Sequence, residues 1–379
     1  MTDWKKVRLG DVCILEKGAQ IDTSQLENSK PYRYINGGIK ESGYYDQFNT
    51  SGESVLISEG GASCGYINYV NENFWCGCHC YRLQDIKVFP KYLYYALKGN
   101  QDRIMSLRAG STMPNIQKSI IQKFELSIHN QSETQKQIAA TLDKVTKIIE
   151  ENKQLLEKYD LLIKSRFIEM FGDPVQNPMG WEVKKLGNMC SVIMNGTTPK
   201  GGEQVYVKNG ITFLRSQNVW RNKIDLEDVA YIDEATHKLM KKSSLKKYDI
   251  LMTKTGRINT ENSSLGRAAL FMGEDDSANI NGHVYLIRLE KEYNHEFVIK
   301  ILTSPEYRDY IRSVCVGGID KRQINKDHIE DFPIIQPPIE IQQQFAQFVQ
   351  QIDKSKFAVQ KSLEKAEILY KSLMQRYFA

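Results

Sequence analysis

Between Glu133 and Phe171 the seam positions alternate spacings of four and three: Ile138, Leu142, Val145, Ile149, Asn152, Leu156, Tyr159, Ile163, Arg166 and Met170. The rhythm returns between Glu340 and Phe378 at Phe345, Val349, Ile352, Lys356, Val359, Leu363, Ala366, Tyr370, Leu373 and Tyr377, each 207 residues after its counterpart. A seam held over more than four heptads predicts coiled-coil pairing, and Asn152, Arg166 and Lys356 interrupt it as polar residues that fix register. At 1.5 Å per residue each helix would span roughly 60 Å. Ser132 suits the first helix start, and Gly172-Asp173-Pro174 ends it, because proline bars its predecessor from helical geometry. Pro337-Pro338 marks the boundary before the second helix. The pairing expected is antiparallel and within one chain, with a dimerisation stalk as the alternative.

Elsewhere the apolar runs are short and bounded by Gly, Asn and Ser, which predicts strands. In the first half these are Ser54–Ser58, Tyr66–Val70 and Phe74–Leu83, with a helix opening at Pro90. The second half repeats the order with Tyr248–Met252, Ala268–Phe271 and His283–Arg288, then helical segments from Phe297 and Pro305. Trp4, Leu9-Gly10 and Cys13 match Trp181, Leu186-Gly187 and Cys190 at an offset of 177. Glu133, Gln135, Gln137 and Ala139 match Glu340, Gln342, Gln344 and Ala346 at 207. The chain therefore reads as a tandem duplication of class α+β. Two mixed strand/helix heads, 1–130 and 174–337, alternate with helices at 131–173 and 338–379. The second head is about 30 residues longer by the two offsets, an excess expected in Ile211–Lys247.

Composition narrows the classes. A chain of 379 residues can bury two or three cores. No uncharged apolar run approaches the ~18 residues of a membrane span, and no apolar stretch follows Trp4-Lys5-Lys6 as a signal peptide requires. Seven cysteines read as free thiols. A soluble, cytoplasmic protein is expected. The net charge of +5 is spread over both heads rather than concentrated, so a nucleic-acid binder of this composition would rely on partners for much of its phosphate contact.

The chain carries no Gly-x-x-x-x-Gly-Lys-Ser/Thr phosphate loop, no Asn/Asp-Pro-Pro-Phe/Tyr run and no Gly-x-Gly-x-x-Gly after a strand, so no catalytic residue is assigned. Cys76-Gly-Cys-His-Cys80, with Cys64 nearby, is the one metal-like cluster. Its i, i+2, i+4 spacing places the thiols along one face of a strand, where structural zinc takes a Cys-x₂₋₄-Cys knuckle. Buried thiols are expected and no metal site is assigned. His283 and His328 lack a nucleophile or carboxylate at motif spacing and read as ordinary polar residues.

Reading a base edge needs Arg, Lys, Asn or Gln on a loop that can enter a groove. The first head offers Arg33, Asn36 and Ser63, then Arg108, Ser111, Thr112, Asn115 and Lys118. The second offers Arg215, Gln217, Asn218 and Arg221, then Lys254 and Arg257, then Lys321, Arg322, Gln323 and Asn325. Singly these are solvated loop residues; as sets they suggest a DNA-contacting surface.

The arrangement resembles the DNA-specificity (S) subunit of type I restriction–modification systems. The matching pieces are the two Trp…Leu-Gly starts, Arg108–Ile116 with Val316–Ile324, Glu133–Ala139 with Pro337–Ala346, and Gly172-Asp173-Pro174. Each is short, but their order and duplication cover essentially the whole chain. Ser127-Ile128-His129 departs from the pattern, lacking the Pro-Pro kept at Pro337-Pro338. The resemblance implies a non-catalytic subunit whose heads each read half of a bipartite double-stranded DNA target. The coiled coil would set the gap between the halves. It also implies two modification subunits that use S-adenosylmethionine, restriction subunits that use ATP and magnesium, no cofactor in this chain and no membrane partner. A coiled-coil scaffold, or a zinc enzyme built on Cys64–Cys80, are the readings from other classes.

Overall fold

The computed structural model describes residues 3–110, 112, 114–258, 260, 262–318 and 320–378. In the first head the strands are Trp4–Arg8 (β1), Ile14–Lys17 (β2), Tyr32–Ile35 (β3), Gly43–Tyr45 (β4), Ser54–Ser58 (β5), Ile67–Val70 (β6), Trp75–Cys76 (β7), Cys80–Gln84 (β8) and Glu125–His129 (β9). An antiparallel sheet runs β2-β8-β5-β6 and a smaller one runs β4-β3-β7, with β3 and β7 parallel, while β1 pairs with β9. Neighbouring side chains on a strand point to opposite faces. Val55 and Ile57 accordingly enter the main core with Leu15, Leu83, Leu93 and Ala96, while Leu56 enters a second cluster with Ile35, Val70 and Phe74. A strand buried on both faces reads as a continuous apolar run, as Ser54–Ser58 does.

The second head repeats this plan. Its strands are Val183–Lys185 (β10), Cys190–Asn195 (β11), Ile211–Leu214 (β12), Val219–Trp220 (β13), Lys223–Ile224 (β14), Ala230–Ile232 (β15), Ile250–Thr253 (β16), Thr255–Gly256 (β17), Ala268–Leu270 (β18), Ala278–Ile280 (β19), Val284–Leu289 (β20), Val316–Gly317 (β21), Arg322–Gln323 (β22) and Pro333–Ile335 (β23). The sheets β11-β20-β16-β18 and β15-β12-β19 and the pair β10-β23 reproduce the order and directions of the first head. One addition distinguishes it, the hairpin β13-β14; the small sheet β17-β22-β21 has its counterpart in the first head in the bridges of Asn115 to Gly60 and Ala109. The hairpin sits in the connection 215–229 from β12 to β15, where the first head has only 36–42, so this part of the extra length falls inside Ile211–Lys247.

Two strand expectations need correction. The run Phe74–Leu83 is not one strand, because the N–H of Cys80 bonds the Gly77 carbonyl at 3.1 Å and closes a turn. Its two ends join different sheets, β7 beside β3 and β8 beside β5, so Cys76, Cys78 and Cys80 do not share a strand face. Tyr248 lies outside β16, with a left-handed φ of 72° and the Asp249 N–H turned back to the Lys246 carbonyl. Apolar character marked these segments correctly, but hydrogen bonding to neighbours decided where the strands stop.

The long helices are Ser132–Phe171 and Ile339–Phe378. Contacts divide the chain into two compact units, Met1–Leu156 with Ala358–Ala379, and Glu157–Phe357. In the first unit Ile138, Ala139 and Leu142 share a core with Met374 and Phe378. Further along, Asn152 Nδ2 donates to Ser362 Oγ at 3.1 Å and Lys153 pairs with Glu367 at 3.3 Å. In the second unit Lys356 meets Asp160 at 2.6 Å, and Phe167 and Phe171 pack on Phe345. In both units residue numbers fall on one helix as they rise on the other, so the pair is antiparallel. The chain is α+β, with two mixed strand/helix heads and two long helices that pair antiparallel within each unit, as an intramolecular coiled coil.

Every seam residue is buried or half-buried. Asn152 and Lys356 bond across the seam, as register-setting polar residues do, whereas Arg166 pairs with Glu169 on its own helix. Gln135 Nε2 donates to the His129 carbonyl at 2.7 Å, and Gln342 Nε2 to the Pro337 carbonyl at 2.8 Å. Both glutamines are buried, which gives the Gln recurring at the helix starts a structural role. At the far end of the first helix Gly172 takes φ +76° and bonds back to the Ile168 carbonyl, a left-handed cap before Pro174.

Candidate nucleic-acid interface

In the first head a cleft of about 480 Å³ opens where strand ends meet the loop 108–116, lined by Lys17, Asn36, Glu59, Gly60, Gly61, Cys78, His79, Pro114 and Asn115. The cleft is framed by backbone bonds. Glu59 N–H donates to the His79 carbonyl at 2.8 Å, Ile116 N–H to the Glu59 carbonyl at 2.8 Å, and Gly61 N–H to the Pro114 carbonyl at 2.9 Å. Asn36 Oδ1 accepts the His79 N–H at 3.1 Å, and Cys78 Sγ donates to Gln20 Oε1 at 2.9 Å. At the mouth, Lys17 Nζ lies 2.5 Å from Glu59 Oε1, which also accepts the Tyr81 hydroxyl at 3.1 Å. Burial, followed by the Glu59 charge, raises the Tyr81 hydroxyl above its ordinary range, so it stays protonated and serves as a donor.

The second head builds the same frame with different side chains. Lys254 N–H donates to the His283 carbonyl at 2.9 Å and Ile324 N–H to the Lys254 carbonyl at 2.9 Å. Tyr285 donates to the Ile324 carbonyl at 3.2 Å, as Tyr81 does to Ile116 at 3.2 Å. Lys17 stands opposite Tyr81 in its sheet, and Asn195 opposite Tyr285. A β-carbon on Gly18 would lie 2.1 Å from the Cys76 carbonyl, and one on Gly196 would lie 2.1 Å from that of Ile280, so both positions require glycine. The heads therefore align Lys17 with Asn195, Glu59 with Lys254, His79 with His283 and Ile116 with Ile324.

This alignment also places the thiols. Where the first head buries Cys76 and Cys80, the second has Ile280 and Val284, so the cysteines fill apolar positions in a core. Cys64 is buried in the main core, while Cys78 is half-exposed in the turn. The hydrogen bond between the buried pair, the largest effect on each, raises the Cys76 thiol and lowers that of Cys80. Among the described residues no three His, Cys, Asp or Glu side chains gather where they could hold a metal ion.

The family model for the type I restriction modification DNA specificity domain matches residues 1–158 and again 178–370. The chain belongs to this family. A Mycoplasma genitalium protein named as a type I specificity subunit is 33% identical over 167 residues, a match covering 41% of this chain and 43% of that relative. The chain thus spans less than half the length of that relative. The Methanocaldococcus jannaschii type I restriction enzyme MjaVIII specificity subunit is 24% identical over 98% of this chain and 91% of its own length. The crystal structure of a type I restriction–modification S subunit from M. genitalium shares the fold, with a TM-score of 0.71 at 21% identity, covering 99% of this chain and 96% of that one.

Within this family fold, the residues singled out from sequence fall into three groups. Asn36 and Asn115 line the first cleft, and Ser63 beside it donates to the Gly37 carbonyl at 2.9 Å. Arg108 and Thr112 are exposed on the loop that walls it, Lys118 is exposed on the helix that follows, and Ser111 lies outside the described residues. In the second head β17 and β22 carry Gly256, Arg322 and Gln323 beside Lys254, with Arg257 and Lys321 exposed next to them. Arg322 donates to the Cys315 carbonyl at 3.1 Å, and Gln323 to Asn325 Oδ1 at 2.9 Å.

A second group organises loops. Asn218 is 1% exposed, with its amide bonded to the carbonyls of Asp225 and Asp228 and to the Arg215 N–H. It has no edge left for a base, a correction to its place among the candidates. Arg215 and Gln217 both bond Asp228, and Arg33 pairs with Glu72 at 2.5 Å. The third group is Arg221 alone, at the tip of the β13-β14 hairpin. It lines a cleft with Trp220 and with Arg267, whose guanidinium lies 3.8 Å over the Trp220 ring.

Lys17, Glu59, Cys78 and His79 were missed from the sequence. The available signal was a register of 204 residues that aligns His79 with His283 and Tyr81 with Tyr285, intermediate between the offsets at the two ends.

Proposed function

We propose that this chain is the sequence-specific DNA-binding specificity subunit of a type I restriction–modification complex. The carrying observation is the duplicated frame: one set of backbone hydrogen bonds, occurring once in each head, with different polar side chains at matching positions. A conserved frame with variable contacts suits two readers of two different half-sites, since base edges are told apart by donor and acceptor placement. The domains proposed are a reader at 1–130, a spacer helix at 131–173, a reader at 174–337 and a spacer helix at 338–379. Family membership, the paired frames and the antiparallel helices support this reading over the scaffold and zinc-enzyme alternatives.

In this reading the chain carries no catalytic centre and binds no cofactor. Two modification subunits bind S-adenosylmethionine and flip an adenine out of double-stranded DNA for methylation. Restriction subunits use ATP and magnesium, and the assembly works in the cytoplasm. No helix among the described residues is long and apolar enough to cross a membrane. The helix pair fixes the gap between half-sites, near one DNA turn of about 34 Å.

The test is to co-express the chain with its modification subunit in a methylation-free host and map N6-methyladenine by long-read sequencing. One bipartite motif is expected. Absence of methylation from an assembled complex would overturn the reading. Removing one heptad from each helix should change the gap and keep both half-sites.

A further inference from the structure

Resting on that reading, we propose that Glu59 and Lys254 are specificity-determining residues that impose opposite base preferences on the two half-sites. The two residues occupy one structural position. Each donates its N–H to the carbonyl of a histidine, His79 or His283, and each accepts at its carbonyl from an isoleucine, Ile116 or Ile324. Each side chain lies beside the equivalent buried tyrosine. Glu59 Oε1 accepts from Tyr81, and Lys254 Nζ sits 5.7 Å over the Tyr285 ring. Both are half-buried, one residue past the end of a strand, and held there by backbone hydrogen bonds on both sides.

The chemistry at that shared position is inverted. A carboxylate only accepts hydrogen bonds and an ammonium only donates them. In the major groove, a carboxylate favours the base that presents an amino group, adenine N6 or cytosine N4. An ammonium favours the base that presents only acceptors there, guanine O6 and N7 or thymine O4. On the strand each head contacts, Glu59 thus selects A or C, and Lys254 selects G or T.

An acidic side chain facing a polyanion needs compensation, and the first head supplies it. Lys17, with a 53% exposed side chain, pairs with Glu59 at 2.5 Å. Its counterpart Asn195 is neutral, and Lys254 needs no such partner. The contacts of Lys17 and Tyr81 both fall on Oε1 of Glu59, which leaves the acceptor capacity of Oε2 for the cleft that Glu59 lines. At the shared position the first head therefore presents a charge-balanced acceptor and the second a net cation.

The experiment is the methylome of single variants, each co-expressed with the modification subunit. E59K should convert one position of the first half-site from A or C to G or T, and leave the second half-site as it was. K254E should do the reverse in the second half-site only. E59Q, whose amide both donates and accepts, should relax that first-half position by roughly tenfold in methylated fraction. K17E combined with E59K keeps the ion pair with its ends exchanged, so it should show the converted base in a folded head. Unchanged motifs in E59K and K254E would overturn the inference. So would a fall in methylation with no change of base in both E59Q and the exchanged pair. A wild-type chain giving no bipartite motif would instead overturn the functional reading beneath it.

Discussion

Phe171 is the residue through which the end of the first long helix is anchored in the second unit. It is fully buried, with ring centroids at 5.0 Å from Phe167, 4.8 Å from Phe297 and 5.5 Å from Phe345. The Phe171→Ala change removes a ring packed on three others and leaves a cavity that rigid aromatic neighbours fill only in part. Burying such a side chain is worth about 1.5–3 kcal/mol. Residual cavity brings Phe→Ala losses to about 3–5 kcal/mol, and the three aromatic contacts place this site near 4. For a unit of 150–250 residues each kcal/mol moves the midpoint by about 2–4 °C, so a fall of roughly 8–16 °C is expected. Differential scanning calorimetry reads it directly. Phe378, its counterpart 207 residues later, supplies the control in the first unit. It has Tyr92 at 5.5 Å and Tyr377 at 6.2 Å and lies at a helix end, so Phe378→Ala should cost about 3 kcal/mol. A shift below about 3 °C for Phe171→Ala would refute the packing argument.

Three further outcomes are expected. Native alkylation at pH 8, followed by peptide mass mapping, should label Cys78 first, since Cys76, Cys80 and Cys64 are buried and burial pushes the half-exposed Cys190 up to about 12. Gly172→Ala places a β-carbon 2.7 Å from Pro178 Cγ at φ +76°. It should cost about 2 kcal/mol in urea denaturation, more than the ~1 kcal/mol of left-handed backbone alone. Asp249→Ala should cost about 3–5 kcal/mol by the same assay. Asp249 is 1% exposed and takes Arg288 in two bonds of 2.8 and 2.6 Å, so its loss leaves a half-buried guanidinium unpaired.

The helices were the most legible part of the chain because their signal is long. A seam of ten positions, repeated at a fixed offset, leaves little freedom in element type or length, and the observed helices begin one residue before Glu133 and Glu340. The strands were legible as apolar runs but not as sheets. Phe74–Leu83 splits between two sheets through a turn at Gly77 that hydrophobicity does not report. Candidate contacts chosen by residue type included Asn218, a buried loop brace, and passed over Glu59 and His79, whose significance lies in where the backbone carries them.

The sequence by itself determined the duplication, the two helix seams and the α+β class, because those rest on periodicity along the chain. Tertiary structure alone decided which side chains share a cleft and which match between heads. Lys17, Asn36, Glu59, His79 and Asn115 come from five separate segments, brought together by bonds between strand ends and the 108–116 loop. The offset between the heads drifts from 177 to 207 through insertions such as the β13-β14 hairpin. No single register along the chain could therefore align Glu59 with Lys254; the backbone hydrogen bonds do.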